Sequence, residues 1–322
     1  MNTVESLAIG VDVGATKIAA ALVTEDGRLL TSNQVLTQAA EGPQSVLLRI
    51  ANLIDDLASA ALHPVMGIGI GTPGQVDSQS GTVHNAVNLG WEKVRLVDEI
   101  RSRLRADIPV WIQKDANASA LGEYYYGAAK DTRDFVYLGI GSGLGGGILT
   151  NGRLVTGANW NAAELGHLSL DPQGLLCGCG QRGCAETIVS GPGLLAIVQR
   201  GLVESRCATR LVPGKDLNTA AVLAAARDGD ELALAALAEA GRCLGVVMAA
   251  CISILNPALM VIGGGLGLAA FEYLAPAARK ELALRTLTAS HQNLRIRPSR
   301  LSSSAMGAAC LVWYFKDAWQ PC

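Results

Sequence analysis

The sequence predicts an α/β protein built from two similar lobes that face a cleft. Two observations carry this. Half of the 322 residues are hydrophobic, aromatics are few, and 37 glycines accompany abundant Ala, Val, Ile and Leu; this composition suits buried strands, helices and tight turns, in a chain long enough for two cores. An order of strand, glycine-rich turn, strand and hairpin turn over residues 7–30 also restarts over residues 135–152.

The elements follow from the pattern. Residues 7–13 read as an apolar strand that ends in Gly14-Ala15-Thr16-Lys17, with further strands at 18–23 and 29–35 joined by Glu25-Asp26-Gly27. Val46, Ile50, Leu53, Ile54, Leu57 and Ala61 then recur on one helical face. A buried strand at 65–70 closes in Gly71-Thr72-Pro73-Gly74, and a helix near 96–104 precedes a strand at 109–112. The second copy has its strand at 135–140, its glycines at Gly141-Ser142-Gly143 and its hairpin at Asn151-Gly152. Helices are expected near 190–204, 216–227, 231–255 and 268–286, and a strand at 258–262 runs into Gly263-Gly264-Gly265. The predicted lobes are 1–117 and 118–304, with a last helix at about 305–322 packing back on the first.

Net charge is −2, with acidic and basic residues scattered, unlike the footprint of a nucleic-acid binder. The N-terminus has no basic segment or cleavage site, and the longest apolar run, 244–255, falls short of the roughly 20 residues a membrane span needs. The expectation is a cytoplasmic protein with neither nucleic-acid nor membrane partners.

Five of the eight cysteines are dispersed and read as small buried hydrophobes or a loose end. The other three, Cys177, Cys179 and Cys184, join His167 in a Cys₃His set, enough for a closed tetrahedral Zn²⁺ site. Because protein fills all four positions, the expected role is structural, with no place for an activated water. The alternatives are a loose loop with a surface His, or a disulfide pair, which a reducing compartment disfavours.

Glu164-x-Gly-His167 followed by Cys-x-Cys-Gly-x-x-Gly-Cys-x-Glu186 resembles the ROK family of repressors and sugar kinases. The resemblance extends over nearly the whole chain. Asp12 to Lys17 is similar to the family's first phosphate loop, and 69–74 with Asp77 to its sugar-side loop. Asn88-Leu89-Gly90-Trp91 is similar to the segment that follows, Asp115-Ala116-Asn117-Ala118 to the catalytic segment, and 141–147 to the second phosphate loop. The resemblance implies an actin-like, ribonuclease-H-like fold and transfer of phosphate from ATP to a hexose, glucose at its 6-hydroxyl foremost. Fructose and N-acetylhexosamines are the other candidates. It makes Asp115 the general base and Asp12 the holder of Mg²⁺ through water. Gly14, Thr16, Lys17, Gly141, Ser142, Gly143, Gly264 and Gly265 would contact ATP. Gly74, Asn88, Lys114, Glu164, His167 and Glu186 would contact the sugar. The family is often dimeric, which allows a homodimer here. Physically, glycines let backbone N–H groups reach phosphate, and a carboxylate can take a hydroxyl proton late in phosphoryl transfer. The structural alternatives are ordinary turns for the glycines, a helix cap for Asp115 and solvated carboxylates for the two glutamates. No Walker loop is present.

Three places depart from the family pattern. Lys114 stands where an Asn is usual, Trp160 and Ala163 replace small glycines, and Ser302-Ser303-Ser304 replaces acidic residues before Gly307. These leave a sugar-sensing regulator or pseudokinase as the competing function; the first strand begins too near Met1 for a preceding helix-turn-helix module, so such a regulator would lack a DNA-binding domain.

Overall fold

The computed structural model describes residues 5–204 and 207–316. It divides into two compact units: Met1–Arg133 with Arg153–Ala162 and Arg300–Cys322, and Asp134–Gly152 with Ala163–Ser299.

In the first unit, β1 (Leu7–Val13), β2 (Lys17–Thr24) and β3 (Leu29–Leu36) form an antiparallel meander with β3 as an exposed edge. Helix α1 (Pro43–Ala60) starts on Pro at its first turn, where a missing N–H costs nothing, and buries Val46, Ile50, Leu53, Ile54 and Leu57. Strand β4 (Val65–Thr72) returns parallel to β1. A small antiparallel sheet that the sequence reading did not anticipate follows: β5 (Gln75–Asp77), β6 (Thr82–Ala86) and β7 (Trp91–Val94). Its strands are three to five residues long, too short to show a period. Helix α2 (Leu96–Arg101), β8 (Val110–Lys114) and α3 (Asp115–Tyr125) complete the run, with β8 parallel to β4.

The second unit repeats the order. β9 (Phe135–Ile140) and β10 (Leu144–Thr150) form a hairpin, and the two-residue β11 (Arg153–Leu154), which opens the segment 153–162 counted with the first unit, is the edge strand of their sheet. Asn151 and Gly152 both take positive φ, 51° and 74°, the type I′ turn that matches strand twist. Helices α4 (Gly191–Glu204), α5 (Thr219–Arg227) and α6 (Glu231–Leu255) follow, then β12 (Leu259–Gly263), which is parallel to β9. Helix α6 is long and apolar enough to cross a membrane, but most of its apolar face is buried within the unit. The expected helix at 268–286 is two helices, α7 (Gly265–Ala269) and α8 (Phe271–Ala283), broken at Ala270. The short α9 (Thr288–His291) and β13 (Arg295–Pro298), parallel to β12, were not foreseen.

The sheets have matching orders, β3-β2-β1-β4-β8 and β11-β10-β9-β12-β13. Each is a hairpin-led mixed sheet of the ribonuclease-H-like kind, and the fold is that of actin-like ATPases. The last helix, α10 (Ser304–Lys316), packs on β1, β4 and α3; the reading that carried it to residue 322 lies outside the described residues beyond 316.

Strand β4 shows why α10 docks there. Its alternation sends Ile68 and Ile70 into the core shared with α1, and Gly67, Gly69 and Gly71 to the other face. A Cβ on Gly69 would lie 1.9 Å from the Ala308 carbonyl oxygen, and one on Gly10 of β1 would lie 1.9 Å from that of Ala305. Helix and sheet are in backbone contact.

Candidate functional site

In the first unit, the residues read as catalytic and cation-holding gather at the C-terminal ends of parallel strands. Register pairs Asp12 of β1 with Gly71 of β4, and Gly71 with Gln113 of β8. Asp115 opens α3 immediately after β8. A Cβ on Gly71 would stand 3.8 Å from Asp12 Oδ1 and 3.5 Å from Asp115 Cα, so this glycine separates the two acidic residues without filling the space.

Asp12 is half-buried, and partial loss of solvent lifts its carboxyl above the usual carboxylate range. The Ser304 hydroxyl, which donates to Asp12 Oδ2, and the Lys17 ammonium pull in the other direction without cancelling that rise. A partly desolvated carboxylate with an elevated pKa gains from a cation, so Asp12 fits the Mg²⁺ role on chemical grounds. Ser304, one of the serines in place of acidic residues, thus supplies Asp12 with a donor. Sequence reasoning did not find that contact because 292 residues separate the pair.

Asp115 is exposed, whereas Lys114, Ala116 and Asn117 beside it are buried. Its Oδ1 accepts from the Ala116 N–H at 2.6 Å. Beneath it, Gln113 Oε1 accepts from the Lys114 N–H at 2.9 Å and from Asn117 Nδ2 at 3.1 Å. These buried amides tie the end of β8 to the first turn of α3, a support that the sequence signalled only as two amides four residues apart. The Lys114 ammonium donates to the Ala162 carbonyl at 2.7 Å.

The loop after β1 is closed by the Gly14 N–H donating to the Lys17 carbonyl at 2.9 Å, and Thr37 Oγ1 donates to the Gly14 carbonyl at 2.7 Å. Thr16 and Lys17 are exposed on it. Gly74 has φ 97°, and a Cβ there would meet the His84 carbonyl oxygen at 2.8 Å. Asn88 is exposed in the turn that follows β6. Asp77 caps its own turn, accepting from the N–H groups of Gln79 and Ser80. Trp160 and Ala163 have φ of 56° and 63°, the left-handed region that glycine adopts freely.

In the second unit, His167, Cys177, Cys179 and Cys184 offer one ligand atom each, all within 4.8 Å of one another. Cys177 Sγ lies 3.9 Å from His167 Nδ1, and Cys179 Sγ lies 3.7 Å from Cys184 Sγ. Sulfur and nitrogen ligands around one tetrahedral zinc stand about 3.5–3.8 Å apart, so the donor set suits that ion and these two pairs stand near its spacing. Because Nδ1 faces the sulfurs, Nε2 of His167 points away as a donor or acceptor for another group. Gly183 must be glycine here: its φ is 70°, and a Cβ would collide with the Asp171 carbonyl oxygen at 1.6 Å. The Gln181 N–H holds the Cys179 thiol below its usual range, while burial pushes the Cys184 thiol up to about 12. Glu164 is exposed, and its carbonyl accepts from the His167 N–H at 3.1 Å.

Gly141-Ser142-Gly143 forms the turn from β9 to β10, with the Gly141 N–H donating to the Gly143 carbonyl at 2.9 Å. The Gly191 N–H at the start of α4 donates to the Gly141 carbonyl at 2.8 Å. The Glu186 carboxylate reaches this turn, accepting from the Leu144 N–H at 2.9 Å. Gly264 has φ 79° and approaches Ile140 so closely that a Cβ would lie 2.4 Å from its carbonyl oxygen, whereas Gly265 faces open space.

Known proteins resemble this chain over most of its length. It is 35% identical over 266 residues to the glucokinase of Streptomyces coelicolor, which covers 81% of this chain and 82% of that one. The crystal structure of a ROK family glucokinase from Streptomyces griseus with glucose and AMPPNP superposes with a TM-score of 0.77 at 32% identity, covering 95% of this chain and 98% of the other. A ROK family transcriptional regulator, described as a homolog of the E. coli MLC protein, gives a TM-score of 0.86 at 29% identity, covering 97% of this chain and 78% of the regulator. The ROK family model matches residues 8–314. The chain belongs to the ROK family.

Proposed function

We propose that this protein is a sugar kinase that transfers the γ-phosphoryl group of ATP to a hexose, glucose at its 6-hydroxyl foremost. The observation that carries the reading is the row Asp12, Gly71, Asp115 at the ends of β1, β4 and β8. It offers one half-buried carboxylate suited to a cation and one exposed carboxylate suited to a hydroxyl. The likeness to two glucokinases supports the substrate class.

In this reading the Ala116 N–H holds Asp115 Oδ1 and thereby the rotamer, and Oδ2 takes the hydroxyl proton as the oxygen attacks phosphorus. Mg²⁺, when bound, neutralises charge on the transferring phosphate. Asp12 would hold that ion, and the Ser304 hydroxyl, which donates to Asp12 Oδ2, fixes the direction of the carboxylate. Zn²⁺, when bound, pins the loop that carries His167 and Glu186. Asn88, Gly74, Lys114, Glu164, Glu186 and His167 Nε2 serve the sugar. The loops that carry Gly14, Thr16 and Lys17, Gly141 to Gly143, and Gly264 and Gly265 serve the nucleotide.

A coupled ATP/ADP assay over a panel of hexoses tests this. Asp115→Asn should lower turnover by about 10²–10⁴-fold with zinc content and fold retained; near-normal turnover would remove Asp115 from the role of base. The regulator's TM-score of 0.86 favours a second reading, a sugar-sensing protein. Tight sugar binding without turnover of any hexose would decide for it.

A further inference from the structure

The cysteine–histidine loop and the glycine turn 141–143 meet at one residue, Leu144. Its N–H donates to Glu186 Oε2 at 2.9 Å, and Glu186 is two positions beyond Cys184. A Cβ on Gly166, the neighbour of His167, would lie 2.3 Å from the Leu144 carbonyl oxygen. Glu186, two positions from Cys184, and Gly166, next to His167, therefore close on the two peptide groups that flank the Leu144 Cα, at the point where the glycine turn becomes β10.

Both sides of this contact are built into short turns. Glu186 sits in a single 3₁₀ turn, Ala185–Thr187, whose Ala185 N–H donates to the Leu168 carbonyl at 2.9 Å. His167 closes another such turn, Leu165–His167. Cys184 pairs across an isolated bridge with Ser169, so the two turns are stitched together behind the ligands. On the other side, Gly143 has no side chain to hold the carboxylate off: a Cβ there would stand 2.4 Å from Glu186 Oε2.

We propose that Glu186 is a positioning residue for the glycine turn, through which the metal-ligand loop sets the geometry of residues 141–144. The consequence for nucleotide binding rests on the kinase reading given above; the consequence for the Leu144 amide does not. The two carboxylate oxygens divide the work. Oε2 is engaged by the turn, and Oε1 lies farther from it, 3.9 Å from the Gly143 Cβ position; in the kinase reading it is the oxygen offered to the sugar. Filling of the metal cluster should then be felt at the turn as well as at His167.

Hydrogen exchange at the Leu144 amide, on the full chain with zinc bound, tests this. Glu186→Ala and Gly143→Ala should both speed exchange there by about tenfold or more, the first by removing the acceptor and the second by displacing it. Glu186→Gln, whose amide oxygen still accepts, should keep the protection. Zinc removal by a chelator should also speed Leu144 exchange. Calorimetric titration with AMPPNP in the absence of sugar should show weaker binding in Glu186→Ala. Unchanged Leu144 exchange in Glu186→Ala, or full protection after zinc removal, would overturn the proposal. Failure of the wild-type protein to bind AMPPNP would instead count against the kinase reading and leave the exchange result to decide this one.

Discussion

Asp12 shows how much a single residue gives up for its place. Its folded carboxyl titrates above the ordinary value of 3.8 because burial strips its solvent. Below that value both folded and unfolded chains are protonated, and Asp12 takes nothing from stability. As pH rises through the elevated folded pKa, the unfolded state has already released its proton and the folded state resists doing so, so stability falls. In Mg²⁺-free solution Asp12→Asn should therefore be more stable than wild type at neutral pH. The difference should shrink below about pH 4. Urea midpoints at the two pH values check this, and an Asn variant less stable than wild type at pH 7 would contradict the assigned cause. Added Mg²⁺ should stabilise wild type and not the variant. Legibility at this scale followed the chemistry. The four metal-ligand candidates were recognisable because soft ligands at short spacing have few other uses. The Lys114 contact was not, because its acceptor is a backbone carbonyl at Ala162, which no residue type announces. Trp160 and Ala163 were visible as odd residues in a run usually rich in glycine. Only φ shows that they also occupy glycine's conformation, at a cost of about 1–2 kcal/mol each.

Among the elements, β1, β4 and α10 form a unit set by missing side chains. Gly10 and Gly69 lie on the sheet face that receives α10, and Gly122 of α3 would place a Cβ 2.7 Å from the Gly307 Cα. A methyl cannot enter any of these contacts without moving the helix. Gly10→Ala should cost about 3 kcal/mol or more, since the clash is with backbone and no rotamer relieves it. Gly265→Ala, where a Cβ meets nothing within 4 Å, serves as a control expected to stay within about 0.5 kcal/mol of wild type. Chemical denaturation of the pair checks the contrast, and equal midpoints would show that α10 docks less tightly than the backbone distances indicate. Helix caps explain which elements could be read from sequence. Helix α6 was legible end to end because Asp230 caps its start, accepting from the Ala233 N–H, and Asn256 ends it at φ 46°. The break between α7 and α8 lacks any such marker, since Ala270 favours helix and yet ends one. Strands β5 to β7 and β13 owe their pairing to the chain around them more than to their own pattern.

Over the whole molecule, the two matching sheet orders were legible as a repeated sequence order, though not as strand positions, because hydrophobic period names a strand without naming its neighbour. What the repeat concealed is how the first unit is completed. Its sheet is covered on one face by α1 and on the other by α10 with α3, so residues 304–316 are part of its core although they come last in the chain. Ala305, Ala308, Ala309, Cys310, Leu311 and Val312 are all fully buried. A fragment of residues 1–133 would keep every strand of the first sheet and still expose the faces of β1 and β4 on which α10 packs. Apolar area of that extent exceeds what a marginally stable unit can leave uncovered. The fragment alone should therefore show no cooperative thermal transition by circular dichroism. Adding a peptide of residues 300–316 should restore one, in a concentration-dependent way. A sharp transition in the fragment by itself would mean that β1, β4 and α1 make a sufficient core, and that α10 contributes to the site more than to the fold. Restoration by the wild-type peptide but not by one carrying Ser304→Ala would assign the dependence to the Asp12 contact rather than to apolar packing. Equal restoration by both peptides is the expected result, because one hydrogen bond to a charged group contributes about 1.5–3 kcal/mol, against the larger sum from six buried apolar side chains.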